Sequence, residues 1–104
     1  VKAITISEEI KHYIVAISDA TRINEEIALG VSPRGSLALM KTSRAYAYID
    51  GRDYITPDDV KLLTPYVLAH RLHLTPSILL KDKHPEEVIA EILARVPVPV
   101  FPIK

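Results

Sequence analysis

The sequence predicts an all-α domain, a small helical bundle around a long central helix with short irregular connections. Three observations carry this prediction. Hydroxyl–proline steps recur at Ser32-Pro33, Thr56-Pro57, Thr64-Pro65 and Thr75-Pro76. Each places a side-chain acceptor at a cap position, followed by a residue whose φ is already helical and whose missing N–H has no partner to lose. Between these steps apolar residues recur at three- and four-residue spacing. A chain of 104 residues, 48% of them apolar, suffices for one packed core.

The first helix begins after Ser7, with Glu8 and Glu9 where the helix dipole favours negative charge. Ile10, Tyr13, Ile14 and Ile17 share one face, and the helix fades near Arg22. Residues 23–31 show no sustained period and read as a connection ending at Gly30. The second helix runs from Pro33 to about Asp50 and stops at Gly51, a natural left-handed cap. Leu37, Ala38, Leu39, Met40, Ala45, Ala47, Tyr48 and Ile49 cover most of its wheel, which predicts the buried central helix of the domain.

After an extended stretch over Asp53-Tyr54-Ile55, Thr56 opens a third helix with Asp58 and Asp59 in its first turn. Val60, Leu63 and Val67 keep one face. Pro65 removes a mid-helix hydrogen bond, so a break and restart are expected at Thr64-Pro65, with helix continuing to about Arg71. The last helix follows Pro85, carries Glu86 and Glu87 at its positive end, and buries Val88, Ile89, Ile92, Leu93 and Val96. Pro97, Pro99 and Pro102 impose an extended tail over 97–104. The folded core is thus expected over 7–96.

Charge and composition exclude several classes of function. Acidic and basic side chains balance at 13 each, and they also balance within each half of the chain. Counterion release on a phosphate backbone therefore has no net charge to exploit, which argues against a nucleic-acid-binding domain. No clean apolar run is longer than that of Tyr13 to Ile17, far short of a ~20-residue membrane span. With no cysteine there is neither a disulfide framework nor a thiolate metal site, and a cytoplasmic address is the expectation. The chain starts at Val1 and its only methionine is Met40, as expected of a piece of a longer protein.

Catalytic signatures are absent. No phosphate-cradling glycine loop, no nucleophile elbow and no paired carboxylates in an apolar setting can be found. The chain alone is expected to catalyse nothing. His70 and His73 are three residues apart, but zinc needs a third ligand that the sequence does not nominate. His12 and His84 are isolated, and no metal site is expected.

One residue has sharper chemistry. Arg34 is the second residue of the second helix, so a fixed cation and a positive helix end coincide there, which suits an oxyanion or phosphate. Ser32, as the cap, would take one backbone N–H that an anion could otherwise use, and Pro33 has none. The guanidinium would then make the main contact. The plainer alternative is a solvated arginine, or one paired with a carboxylate. Lys41 and Arg44 leave the same helix and need an exit to solvent or acidic partners.

Four motifs in order then resemble the carboxy-terminal lid domain of MoxR-type AAA+ ATPases: Gly30-Val31-Ser32-Pro33-Arg34-Gly35-Ser36-Leu37-Ala38-Leu39, Ala45-Tyr46-Ala47, Gly51 to Val60, and Val67-Leu68-Ala69-His70-Arg71-Leu72. The resemblance spans about residues 7–96. It implies a helical lid following a P-loop core, with Arg34 as the sensor 2 arginine that reads the γ-phosphate of ATP in the same or a neighbouring subunit. Ser32 and Pro33 would support that helix start. ATP and Mg2+ would be cofactors of the full-length enzyme, the Mg2+ being held outside this chain. The resemblance further implies a homo-hexamer acting as a chaperone-like machine on client proteins, among them ones with von Willebrand A domains. Membranes and nucleic acid are not implied. Gly35 departs from the alanine common after the arginine, and is expected to loosen the helix start. The competing reading is a free-standing, histone-fold-like interaction module, a fold that has no need of the Ser32-Pro33-Arg34 step.

Overall fold

Ser7 starts the first helix by accepting the Ile10 amide at 3.2 Å. In the computed structural model, which describes residues 4–100, α1 is Glu8–Arg22 and turns Ile10, Tyr13, Ile14 and Ile17 inward. The 23–31 connection is not wholly irregular: it contains strand β1, Ile27–Leu29, paired antiparallel with β2, His73–Leu74. So short a strand has no readable alternation, and it exists because of a partner far along the chain. Lys83 holds this ribbon to the last helix, meeting Glu26 and Glu91, each at 2.8 Å.

Helix α2 is Pro33–Ile49, the longest in the chain. Its end is a Schellman turn: Gly51, at φ +80°, donates to Tyr48, and Arg52 donates to Ala47. The expected all-round burial is not found. Only Gly35, Leu39, Ser43 and Ala47 are buried, a four-residue stripe facing α3, while Leu37, Tyr46, Tyr48 and Ile49 are exposed. Small side chains at three of the four buried positions let the helices approach closely. Apolar composition overstated burial because exposed apolar side chains are common on folded proteins.

Helix α3, Pro57–Leu68, passes through Pro65 without the expected break and tightens into a single 3-10 turn, Ala69–Arg71. Proline orphans the carbonyl four residues back, here that of Lys61, an exposed residue. The Thr64 hydroxyl, instead of capping a new helix, donates to the Val60 carbonyl. Short helix α4, Pro76–Leu80, follows the Thr75-Pro76 step, and α5 is Pro85–Arg95. Val88, Ile89 and Ile92 of α5 complete a core with Ile14 and Ile17 of α1, Leu39 of α2 and Val60 and Leu68 of α3. Leu93 and Val96 flank it, half-buried. Residues 97–100 have no regular structure, and Pro102 lies outside the described residues.

Candidate functional site

The Ser32-Pro33-Arg34 step is placed by what precedes it. Gly30 passes so close to the end of α1 that a Cβ there would lie 2.9 Å from Arg22 N, Arg22 Cα and Thr21 O. Val31 is then tied at both ends: its amide donates to Thr21 Oγ1 at 2.9 Å, and Arg22 Nε donates to its carbonyl at 2.9 Å. Thr21 in turn donates to Ser18 O, and the hydroxyls of Ser18 and Ser36 lie 2.6 Å apart. The first turn of α2 is therefore strapped to α1 from both sides of the step.

Ser32 occupies the cap position with extended backbone, but its hydroxyl makes no capping bond. The Gly35 amide, which it would have taken, donates to the Ser32 carbonyl at 2.9 Å. Pro33 opens the helix as expected. Gly35 does not loosen this start. It is buried, and a Cβ would collide with Val31 Cγ1 and sit 3.3 Å from Arg71 Cδ. Glycine is what lets α2 close against Val31 and the end of α3.

Arg34 stands on this fixed turn, exposed, and makes no hydrogen bond or ion pair with any described residue. Lys41 and Arg44 are likewise exposed, with no ion pair among the described residues. His70 lies in the 3-10 turn and His73 in β2, both exposed. No three His, Cys, Asp or Glu side chains among the described residues converge as a metal-ligand set would. With the Gly35 and Ser36 amides both donating to the Ser32 carbonyl, the main donor at the start of α2 is the Arg34 guanidinium, whose chemistry fits a phosphate and not a cation such as Mg2+.

A second charged group was not anticipated from sequence. Arg52 grips Asp59 with both terminal nitrogens at 2.8 Å, reaches Asp50 with Nε at 2.8 Å and the Tyr54 carbonyl at 3.0 Å, and lies 5.5 Å from the Tyr54 ring centre. Asp59 also accepts the Thr56 amide at 2.8 Å, closing a capping box on α3. The hydrogen bonds that Arg52 donates to Asp59 and Asp50 push its pKa further up. Thr56-x-x-Asp59 was a legible signal for the box; Arg52 as its third member was not. This group is structural, joining the α2–α3 turn to α3.

Beside it, the backbone of Thr5 bridges in parallel to Tyr54, with the Thr5 amide donating to Asp53 O at 2.6 Å. The chain thus reaches the bundle at the α2–α3 turn, at the opposite end of α2 from Arg34. Among the described residues, no helix is long and apolar enough to cross a membrane.

The family model for the AAA lid domain matches residues 19–92. The Bacillus subtilis protein YeaC is 44% identical over 100 residues, covering 96% of this chain and 31% of YeaC. The protein named chaperone MoxR1 of Mycobacterium tuberculosis is 40% identical over 96 residues, covering 84% of this chain and 26% of MoxR1. A crystal structure from Cytophaga hutchinsonii assigned as an ATPase superposes with a TM-score of 0.88 at 28% identity, over 93% of this chain and 32% of that one. The chain thus spans roughly a third or less of these relatives. Five α-helices with a two-stranded ribbon among the described residues, and these matches over most of the chain, replace the histone-fold-like alternative. The chain belongs to the AAA lid domain family, as a lid of the MoxR type of AAA+ ATPase.

Proposed function

We propose that this lid serves ATP binding and hydrolysis in a longer AAA+ ATPase, and that Arg34 is its phosphate-reading residue. The observation that carries this reading is the placement of Arg34: a guanidinium with no carboxylate partner among the described residues, on a helix start held rigid by Gly30, Val31 and Gly35. Such a cation costs little to reorganise when a terminal phosphate comes within reach, and binding it favours one position of the whole lid. Because the first turn of α2 is bonded to α1 through Val31 and Ser36, a pull on Arg34 moves the bundle and not a loop.

ATP with Mg2+ is the cofactor of that longer protein, and the metal and the triphosphate-cradling loop belong to its ATPase core. The family's ring assembly, taken as a homo-hexamer, chaperone-like action on client proteins including ones with von Willebrand A domains, and a cytoplasmic setting complete the reading. The name of MoxR1 as a chaperone supports the client-directed part.

The deciding experiment is Arg34→Ala in the full-length protein. ATP turnover is expected to fall by at least about tenfold, with the melting temperature unchanged. Turnover equal to wild type would remove Arg34 from the site. The 104-residue chain alone is expected to show no ATPase activity and at most weak nucleotide binding; micromolar affinity by calorimetry would contradict this assignment.

A further inference from the structure

The motif Val67-Leu68-Ala69-His70-Arg71-Leu72 folds as the end of α3 and the 3-10 turn after it, and it closes against the start of α2. A Cβ on Gly35 would stand 3.3 Å from Arg71 Cδ and 3.7 Å from Leu68 Cδ2. Gly35 is the residue after Arg34, so the stem of Arg71 lies beside the turn that carries Arg34. Arg71 is half-buried, and its Nε donates to the Val67 carbonyl at 3.1 Å, as a cation at the negative end of a helix does. That duty uses one of the five N–H groups of a guanidinium. Its two terminal nitrogens make no hydrogen bond or ion pair with any described residue. Arg22, the third arginine at this end, is spent differently: it holds the Val31 carbonyl and pairs with Asp19. Arg34 and Arg71 are thus left as two guanidiniums at one end of the bundle, neither paired with a carboxylate among the described residues.

We propose that Arg71 is a second phosphate-contacting residue, bonding the same terminal phosphoryl group as Arg34. The inference rests on the reading of Arg34 as phosphate-contacting. Two like charges held at one place repel, and an anion shared between them removes that cost. A terminal phosphoryl group exposes three oxygens, and one guanidinium fork takes only two of them. Arg71 is also prepared for the contact. Its stem is wedged against Gly35 and its Nε is fixed by Val67, so little side-chain freedom is left to lose on binding. A lysine could satisfy the Val67 carbonyl as well; the planar fork is what leaves two further nitrogens for a phosphate. Arg34 stands on α2 and Arg71 on the turn after α3, so a phosphate held by both clamps these elements together, and its loss frees both at once.

The test measures the affinities of the full-length protein for a non-hydrolysable ATP analogue and for ADP. Arg71→Met keeps a stem against Gly35 and removes the guanidinium. Analogue affinity should fall about fivefold or more while ADP affinity changes by less than about twofold, since ADP lacks the terminal phosphoryl group. Arg71→Lys, which keeps the charge and still reaches the Val67 carbonyl, should recover only part of the loss. The double variant separates direct contact from a role exerted through Arg34: added to Arg34→Ala, Arg71→Met should weaken analogue binding by about a further threefold. Unchanged analogue affinity in Arg71→Met, equal losses for analogue and ADP, or no added loss on Arg34→Ala would each overturn the proposal. If Arg34→Ala weakens analogue binding while Arg71→Met does not, the second contact alone fails. If Arg34→Ala binds the analogue like wild type, the phosphate reading beneath it fails and takes this inference with it.

Discussion

Both terminal nitrogens of Arg52 bond the two carboxylate oxygens of Asp59, each at 2.8 Å, across the turn between α2 and α3. Asp59 is nearly buried and has a second duty, accepting the Thr56 amide that starts α3. Removing the arginine would strand a buried charge. Arg52→Ala is expected to cost about 2–4 kcal/mol, read by urea denaturation of this chain. Arg52→Lys should recover only part of that, because an ammonium cannot form the two-pronged contact. A cost below about 0.5 kcal/mol would show the pair to be worth no more than a surface ion pair.

Thr21 ties the approach to α2 by accepting the Val31 amide. Thr21→Val keeps the shape and orphans a buried N–H, with an expected loss of about 1–3 kcal/mol. In the full-length protein the same change should lower ATP turnover more than Thr21→Ser does, since serine retains the acceptor. Equal turnover for both variants would separate this strap from the aim of Arg34.

Gly30 has backbone on every close side, so no rotamer change can make room for a methyl. Gly30→Ala should destabilise by about 1–2 kcal/mol despite the smaller entropy of its unfolded chain. On heating, that is a drop of several degrees, about 4–8 °C per kcal/mol for a domain near this size. An unchanged or higher melting temperature would contradict the close approach.

The Tyr13 hydroxyl is buried and has no hydrogen-bond partner among the described residues. Burial, with Asp58 adding, pushes its pKa up from 10.0 to about 12. Between those values the unfolded chain loses the proton and the folded chain keeps it, so stability falls as pH rises through that window. Tyr13→Phe should be neutral or stabilising by about 1 kcal/mol at pH 7, and should flatten the alkaline fall. Denaturation at pH 7, 10 and 11.5 checks both; a mutant that loses stability at pH 7 means the hydroxyl finds a partner.

Helix starts were legible because cap chemistry is local: Ser7, Thr56 and the prolines at 33, 57 and 76 act within one turn. Thr64-Pro65 misled for a non-local reason. The cost of that proline depends on whether the carbonyl of Lys61 can reach water, which only the packed bundle decides. The ribbon between Ile27–Leu29 and His73–Leu74 was invisible for the same reason, as was Lys83 meeting Glu26. At the proposed site, the helix start that carries Arg34 was legible from the Ser32-Pro33 step. The hydroxyl of Ser32 was misassigned because a serine can start a helix with its carbonyl alone. Gly35 was misjudged as a weakness because propensity scores a residue without its neighbours, here Val31 and Arg71.

The parallel contact of Thr5 with Tyr54 sits at one end of α2, and Arg34 sits at the other, so the 17-residue helix between them is about 25 Å of stiff arm. A tilt of only ~10° about that contact sweeps the guanidinium through roughly 4 Å, by the same helical rise. Under the role proposed for Arg34, four ångströms separates a bonded phosphate oxygen from one out of reach, so small rotations at the base of the arm would make or break the contact at its tip.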